Sequence, residues 1–583
     1  MKNLYQKKVR NRTVMLLFFF TAWLAIIVLR LIQLQVVHHM TLKDEVLRQN
    51  HAVEDITPKR GTIYDRSGSI LARSIPRPSA FYIPSKDESL NKQYEDIEKL
   101  RKALRLSAQK TTAIKKRLEK GATFIWIKRK IEPEDAERVK KLEIAGVHFD
   151  EENKRFYPQG KRAAHVLGRV DIDDRGQSGI EYRYNTFLEG EKGKRLILKD
   201  AKYREYRFEI LKAPISGKDV VLTIDETIQY IAERELEKAI RTAKARWGTI
   251  IVSQPFSGEI LAMANYPAFD LNHPPSKVSQ IDRNKAIHHT FDPGSTFKII
   301  TASAALETQS VGLNAVFDCS SGMIAVPGKV IRDHKKLGIL SFPEVIIHSS
   351  NVGAVQIGHR IGEKNLNEMI KAFGFGQSTH IDLPAEEKGI FRPIENWTNI
   401  SLSSLSIGYE ISVTAIQMLQ AVNVVANSGI KMPPKVVKCV LSEEKESQSR
   451  PSSGQGVMSE KTAGQISRLL ERVVLSGTGV KAQIDGFRVA GKTGTAQKFD
   501  PTIGRYSSSM HMASFVGYVP VEEPLLSMIV IIDDPKGLFY GGEVAAPVFQ
   551  RIAAETLRYL QIPAKKTLPE KTVASYKRAA LER

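Results

Sequence analysis

The chain has 583 residues, 42% hydrophobic and 26% charged, with 86 Lys and Arg against 64 Asp and Glu. A length well beyond about 250–300 residues excludes a single core and calls for more than one domain. The net charge of +22 suits an anionic polymer or surface, but no zinc-ligand spacing, RNP-like aromatic motif or Walker loop accompanies it, which argues against nucleic acid as the partner.

Residues 1–12 hold Lys2, Lys7, Lys8, Arg10 and Arg12 and no acid. Residues 14–29 are almost wholly apolar; Arg30 interrupts, and Leu31, Ile32 and Leu34 continue the pattern. A spanning helix needs about 20 such residues, and a cation at its end can snorkel to the interface. Residues 31–39 carry no A-x-A-like cleavage pattern, so a retained signal anchor over 13–34 is predicted rather than a cleaved leader. The cations keep the N-terminus, 1–12, inside, with the rest of the chain outside.

Residues 35–55 are polar and predict a helix. Lys59-Arg60-Gly61-Thr62-Ile63-Tyr64-Asp65-Arg66-Ser67-Gly68 predicts a strand entering a turn at Ser67-Gly68, with a second strand over 69–72. Residues 86–145 are dense in Lys and Glu with helical periodicity, and predict surface helices. A second glycine-punctuated patch spans Tyr157-Pro158-Gln159-Gly160, His165-Val166-Leu167-Gly168 and Gly179-Ile180-Glu181. Residues 219–225 alternate as a strand, and a domain boundary is placed near 218. Beyond it, 248–253 and 259–264 flank the turn Pro255-Phe256-Ser257-Gly258 as a hairpin. Residues 488–496, 513–519 and 525–533 predict three more strands, and 547–560 a helix. The expected fold is α+β: an antiparallel sheet flanked by helices, with a helical subdomain. The basic tail 564–583 predicts disorder. Cys319 and Cys439 show no metal spacing, and the sequence leaves open whether they pair.

Three short patterns carry chemistry. In Asp292-Pro293-Gly294-Ser295-Thr296-Phe297-Lys298 a Pro-Gly turn precedes a serine that opens an apolar helix. Residues three apart share a face, so the Lys298 amine can meet the Ser295 hydroxyl. A serine hydroxyl is a weak nucleophile and needs a base, which a desolvated lysine can be. His348-Ser349-Ser350-Asn351-Val352-Gly353 supplies an S-x-N, and Gly491-Lys492-Thr493-Gly494-Thr495-Ala496 a K-T-G-T on a predicted strand. Each alone is cheap: an N-cap serine with a chance lysine, a loop, a strand broken by a bulge. Their order, with 54 residues from Ser295 to Ser349 and 143 from Ser349 to Lys492, is the three-motif pattern of penicilloyl serine transferases.

With the anchor and the motif around Arg60, these patterns resemble class B penicillin-binding proteins over nearly the whole chain. Ser349 to Gly353, Ser476-Gly477-Thr478-Gly479, Tyr540-Gly541-Gly542 and Ala545-Ala546-Pro547-Val548-Phe549 are most similar to the septal, FtsI-type division transpeptidases. Phe297 departs from the Val common in relatives, and 86–145 matches no motif of the family. The resemblance implies a pedestal or dimerisation-type domain over 35–218 and a transpeptidase domain over 219–563. It implies that Ser295 attacks the D-Ala-D-Ala amide of a stem peptide with Lys298 as base, that Ser349 relays a proton to the leaving amine, and that Asn351 orients Lys298 and the substrate amide. Lys492 would supply positive potential; Thr493 and Thr495, with Gly494 between them, would hold the terminal carboxylate. The backbone N–H groups of Ser295 and Thr495 would form the oxyanion hole. No cofactor and no metal are implied. Implied partners are peptidoglycan stem peptides on lipid II-derived strands, β-lactam antibiotics, a membrane glycan polymerase and other division proteins, at the cytoplasmic membrane and without nucleic acid. Side-wall or spore-wall synthesis stands as the alternative; a β-lactam sensor or a scaffold fits less well.

Overall fold

The computed structural model describes residues 2–37, 51–85, 87–199, 205–274, 282–441, 446–448, 453–500, 502 and 504–564. The chain forms two compact units, 1–59 with 190–216, and 60–189 with 217–583.

In the first unit, the helix Lys2–Ile32 runs into a wider turn, Gln33–Val37. Within Lys7–Val36 an 18-residue window reaches a mean hydropathy of 2.5, with none of that window buried. It is the one helix among the described residues long and apolar enough to cross a membrane. The unit also holds a three-stranded antiparallel sheet, with Gly193–Lys199 between His51–Ile56 and Glu205–Lys212. The helix expected over 35–55 is therefore wrong at its end. Val53 pairs with Leu196 across more than a hundred residues of sequence, and such a ladder partner is invisible to local periodicity. Residues 38–50 lie outside the described residues.

The second unit begins with the strands Ile63–Tyr64 and Ile70–Tyr82, joined by the expected turn. Asp65 Oδ1 accepts from the backbone N–H of Ser67 and of Ser69, both at 2.8 Å, and Gly68 takes a φ of 93°, the Asx geometry that makes Asp and Gly turn formers. The second strand runs ten residues past Ala72, because its far half pairs with Val147–Phe156 and Ile125–Lys128. There Ala80, Tyr82, Ile125 and Ile127 face inward onto Ile97, Leu100 and Leu104 of the helix Leu90–Leu104 and onto Ile114 and Leu118 of the helix Ala108–Glu119. Residues 86–145 are thus more than surface helices: they enclose a core of their own and contain a strand. Asp219–Leu222 joins the same sheet, parallel to Ile63–Tyr64 and antiparallel to Val437–Leu441, so hydrogen bonding crosses residue 218.

The two glycine-punctuated patches meet around one buried carboxylate. Arg60 Nε and Arg155 Nε reach the two oxygens of Glu181 at 2.8 and 2.6 Å, and all three side chains are buried. Arg60 Nη1 also donates to Asp174 O and Asn185 Oδ1, both at 2.9 Å, and Arg155 Nη1 donates to Gly61 O at 2.7 Å. Gly61 has no alternative here: a Cβ would stand 2.0 Å from Lys218 O.

The main sheet has five antiparallel strands in the order Ile260–Tyr266, Trp247–Ser253, Leu526–Asp533, Arg505–Val519, Ala490–Asp500. It brings the predicted hairpin and the three predicted late strands together. Both its faces are covered. Ile250, Val252 and Val530 pack with Ile228 and Leu236 of the helix Glu226–Thr242 and Ile552 of the helix Ala546–Tyr559. Ile251, Ile529 and Ile531 lie in the core shared with the helices Lys298–Glu307, Ala415–Ala426 and Glu460–Ser476. Alternate residues of one strand serve opposite cores, which is why these strands read as unbroken apolar runs. No disulfide joins Cys319 and Cys439, and both thiols are buried.

Candidate active site

Ser295 sits on a 3₁₀ turn, Gly294–Phe297, that leads into the helix Lys298–Glu307. At three residues per turn, positions i and i+3 eclipse, so Lys298 stands directly over Ser295. Lys298 Nζ is 3.2 Å from Ser295 Oγ. It also donates to Ser349 O and to Asn351 Oδ1, both at 2.7 Å, and lies 3.4 Å from Ser349 Oγ.

Ser349 bridges two helices. Phe342–Ile347 ends at His348, Ser349 takes a left-handed φ of 59°, and Ser350 caps Asn351–Ile361 by accepting from Gly353 N at 3.0 Å. A non-glycine residue in that region is strained and persists only where its surroundings hold it. Lys492 Nζ reaches Ser349 Oγ at 2.9 Å from the other side, so that hydroxyl lies between two lysines.

Lys492, Thr493, Gly494 and Thr495 lie on the strand Ala490–Asp500. Its pairing with Arg505–Val519 runs unbroken from Ala490 to Gln497, and the bulge comes only beyond Gln497. At Gly494 a Cβ would meet Ser514 Oγ at 2.3 Å and Thr296 Cγ2 at 2.9 Å. The glycine lets this strand close over the turn that carries Ser295. Thr493 Oγ1 is 2.6 Å from Thr478 Oγ1, and Thr495 Oγ1 accepts from Gly541 N at 3.0 Å. The Ser476–Gly479 and Tyr540–Gly542 patches therefore back the K-T-G-T strand. The structure brings all eight sequence-predicted site residues into one cluster.

Electrostatics follow from burial. Lys298 and Lys492 are each 0% exposed. Burial pulls Lys298 from the ordinary lysine value down to about 7, against the opposing field of Asp333. Burial, then the Lys298 cation, pushes Lys492 well below its ordinary value. An ammonium in a closed pocket loses its hydration, and two neighbouring ammoniums repel.

Sequence reasoning missed two supports. Asp333 Oδ2 accepts from Ser350 Oγ at 2.7 Å, while its Oδ1 takes the backbone N–H groups of Asn351 and Val352. Asn351 Nδ2 donates to Arg332 O at 2.9 Å. One loop thus holds the whole S-x-N corner, but a lone acid sixteen residues before Ser349 shows no pattern. The second support is Tyr506, whose hydroxyl donates to Asp292 Oδ2 at 2.7 Å and whose ring meets Tyr409 edge-on at 5.3 Å. It ties the far end of the long hairpin to the loop that precedes Ser295.

Two protein-family models match the chain: the penicillin-binding protein transpeptidase domain over residues 248–554, and the penicillin-binding protein dimerisation domain over 55–222. The chain is 36% identical over 530 residues to stage V sporulation protein D of Bacillus subtilis, covering 88% of this chain and 80% of that one. It is 34% identical over 550 residues to a probable peptidoglycan D,D-transpeptidase PenA of Neisseria gonorrhoeae, covering 93% and 92%. It is 31% identical over 543 residues to the peptidoglycan D,D-transpeptidase FtsI of Escherichia coli, covering 92% and 90%. Among solved structures, penicillin-binding protein 3 of Mycobacterium tuberculosis complexed with aztreonam aligns with a TM-score of 0.69 at 26% identity, covering 88% and 98%. Penicillin-binding protein 2X of Streptococcus thermophilus aligns with a TM-score of 0.71 at 25% identity, covering 87% and 80%. Both domain matches, relatives above 30% identity along nine-tenths of the chain and the Ser295–Lys298–Ser349–Lys492 cluster agree: the chain belongs to the class B penicillin-binding proteins, of the FtsI type.

Proposed function

We propose that this protein is a serine-type peptidoglycan D,D-transpeptidase that cross-links stem peptides in septal wall synthesis and is acylated by β-lactams. The observation that carries the chemistry is the environment of Lys298 Nζ. Its two shortest contacts, Ser349 O and Asn351 Oδ1, can only accept hydrogen bonds. A neutral amine that spends its two N–H groups there aims its lone pair at Ser295 Oγ, 3.2 Å away. Burial brings Lys298 to about 7, so the neutral form is available near neutral pH.

Ser295 gives its proton to Lys298 as Oγ attacks the carbonyl carbon of the penultimate D-Ala. The developing oxyanion takes the backbone N–H groups of Ser295 and Thr495. Ser349, between the two lysines, passes a proton to the departing D-Ala nitrogen, and the peptide bond breaks to leave an acyl-serine ester. The amine of a second stem peptide attacks that ester, regenerates Ser295 and returns the proton. Thr495 already accepts from Gly541 N, which leaves its hydroxyl hydrogen for the substrate carboxylate, with Thr493 beside it. The negative charge of that carboxylate would favour the protonated form of Lys492, against the burial and the Lys298 cation that lower it. In a β-lactam the ring amide takes the place of the scissile bond. Structural neighbours solved with aztreonam and with ampicillin support this.

The N-terminal helix serves as a single-pass anchor with its basic end inside. The pedestal, 35–218, holds the transpeptidase domain, 219–563, at the wall, beside a glycan polymerase and other division proteins. Spore-wall synthesis is a second assignment, supported by similarity to the sporulation protein of Bacillus subtilis.

Membranes incubated with fluorescent penicillin test the chemistry. Mass spectrometry should place the adduct on the peptide containing Ser295, and Ser295→Ala should abolish it. An adduct that survives in Ser295→Ala refutes the assignment. A fluorescent fusion that labels the septum supports the division role; exclusive labelling of a forming spore replaces it with the second.

A further inference from the structure

The two N–H groups of the proposed oxyanion hole come from different elements. Ser295 lies on the turn Gly294–Phe297 and Thr495 on the strand Ala490–Asp500. Their spacing has to be held, because such donors act at about 2.7–3.1 Å from the developing charge. Turn and strand press together at two glycines. A Cβ at Gly294 would meet Ala496 Cβ at 3.2 Å, and one at Gly494 would meet Thr296 Cγ2 at 2.9 Å. Contacts of this kind hold surfaces close but have no preferred direction. A hydrogen bond does. Among the described residues one hydrogen bond joins the Asp292–Phe297 segment to the hairpin: Tyr506 Oη donates to Asp292 Oδ2 at 2.7 Å.

A third element closes the arrangement. Thr290–Phe291 pairs with Ile411–Thr414, and Gly294 N donates to Gly408 O at 3.0 Å. At Gly408, where φ is 79°, a Cβ would stand 2.2 Å from Gly294 O, so this loop lies directly on the turn. The next residue, Tyr409, accepts through its hydroxyl from Gln497 N at 3.3 Å, just before the bulge in the strand. The Tyr506 ring meets Tyr409 and Phe499 edge-on, at 5.3 and 5.8 Å. Turn, loop and hairpin are thus each hydrogen-bonded to the other two. Burial pushes the Asp292 carboxyl up, and the Tyr506 hydroxyl opposes that. The bond goes to a partly desolvated acid, where a hydrogen bond to a charge is strong.

We propose that Tyr506 is a positioning residue for acylation: through Asp292 it fixes the Ser295 turn against the Thr495 strand and so sets the spacing of the oxyanion hole. In this role Tyr506 touches no reacting atom. The role rests on the transpeptidase assignment and adds to it a residue outside the three motifs. The oxyanion exists only as the bond to Ser295 forms. A misplaced hole therefore slows acylation without weakening the initial complex.

The test uses the full-length protein in detergent micelles and stopped-flow mixing with a fluorescent penicillin over a range of concentrations. This separates the dissociation constant of the initial complex from the acylation rate constant. Tyr506→Phe keeps the ring against Tyr409 and Phe499 and loses only the hydroxyl. It should lower the acylation rate constant about tenfold, short of the roughly hundredfold that a misplacement of about 1 Å can cost. The dissociation constant should move by less than about twofold. Asp292→Ala should do the same, and the double variant should be no slower than either single one, since all three lose one bond. Asp292→Asn keeps an acceptor oxygen for the phenol and should retain most of the rate. Thermal melting confirms that each variant is folded. An unchanged acylation rate constant in Tyr506→Phe, or additive losses in the double variant, overturns the role. A loss carried by the dissociation constant also overturns it and makes Tyr506 a ligand contact instead. These results leave the adduct on Ser295 in place; a wild type that forms no adduct there removes the transpeptidase assignment as well.

Discussion

The acylation rate should titrate with the Ser295–Lys298 pair. Lys298 is held at about 7, so its neutral fraction is about 9% at pH 6, about half at pH 7 and about 91% at pH 8. The second-order constant for acylation by penicillin should therefore rise about tenfold from pH 6 to 8 and level off above that. An ordinary lysine would instead drive a tenfold rise per unit across the whole range. His334 and His348 both lie below the ordinary histidine value, so imidazole protonation contributes little above pH 7. Lys492 is lowered too, and the apparent midpoint belongs to the lysine pair. Asp333→Asn is the diagnostic substitution. The Asp333 charge raises Lys298, so removing it lowers the amine further and moves the midpoint to more acid pH. The plateau should fall at the same time. The bonds from the Asn351 and Val352 N–H groups become neutral, and the Ser350 hydroxyl loses its acceptor because a carboxamide has one oxygen, a loss of about 1–2 kcal/mol or more in holding the S-x-N corner. Stopped-flow quenching of intrinsic fluorescence by penicillin reads both quantities. A flat profile from pH 6 to 8, or a midpoint that moves alkaline in Asp333→Asn, refutes the role given to Lys298.

Lys492→Ala should slow penicillin acylation at least about tenfold without loss of fold, because it removes the group that bonds Ser349 Oγ; an unchanged rate makes the residue structural only. Glu181→Gln leaves Arg60 and Arg155 buried without their counter-charge and should cost about 3–5 kcal/mol, read as a lower urea midpoint; an unmoved midpoint denies the cluster its structural weight. The penicilloyl ester should persist in a pulse-chase with unlabelled drug. Glu386 is bound by Ser378 and Thr379, and Glu410 by Arg392 and Ser401, so neither is free to activate a water; loss of label within seconds would make the chain a β-lactamase. Protease added to intact spheroplasts should digest the large domain, and its protection would contradict the inside placement of the basic N-terminus.

The site was legible in the sequence wherever its parts are local. Ser295 and Lys298 are three residues apart on one turn, Ser349 and Asn351 two apart at a helix junction, and Lys492 to Thr495 run along one strand. The apolar N-terminal run and the early hairpin were legible for the same reason: the pattern and the element share one stretch of chain. What was not legible depends on partners distant in sequence. The strand His51–Ile56 exists because Gly193–Lys199 lies beside it, and the strand starting at Ile70 is long because Val147–Phe156 extends its ladder. Polar residues that would favour a helix alone become strand when a partner supplies the ladder.

By itself, then, the sequence determined which groups this protein brings to chemistry: a serine with a lysine one turn away, a second serine with an asparagine, and a lysine–threonine strand. These are identities and short spacings, and no fold alters them. Tertiary structure alone decided their state. Burial among the strands and helices moved Lys298 to about 7, and Asp333 from a patternless loop braced Asn351. The close approach allowed at Gly494 seated the strand over Ser295. A pKa and a hydrogen-bond direction depend on everything within a few ångströms of an atom, and only the folded chain brings those neighbours together.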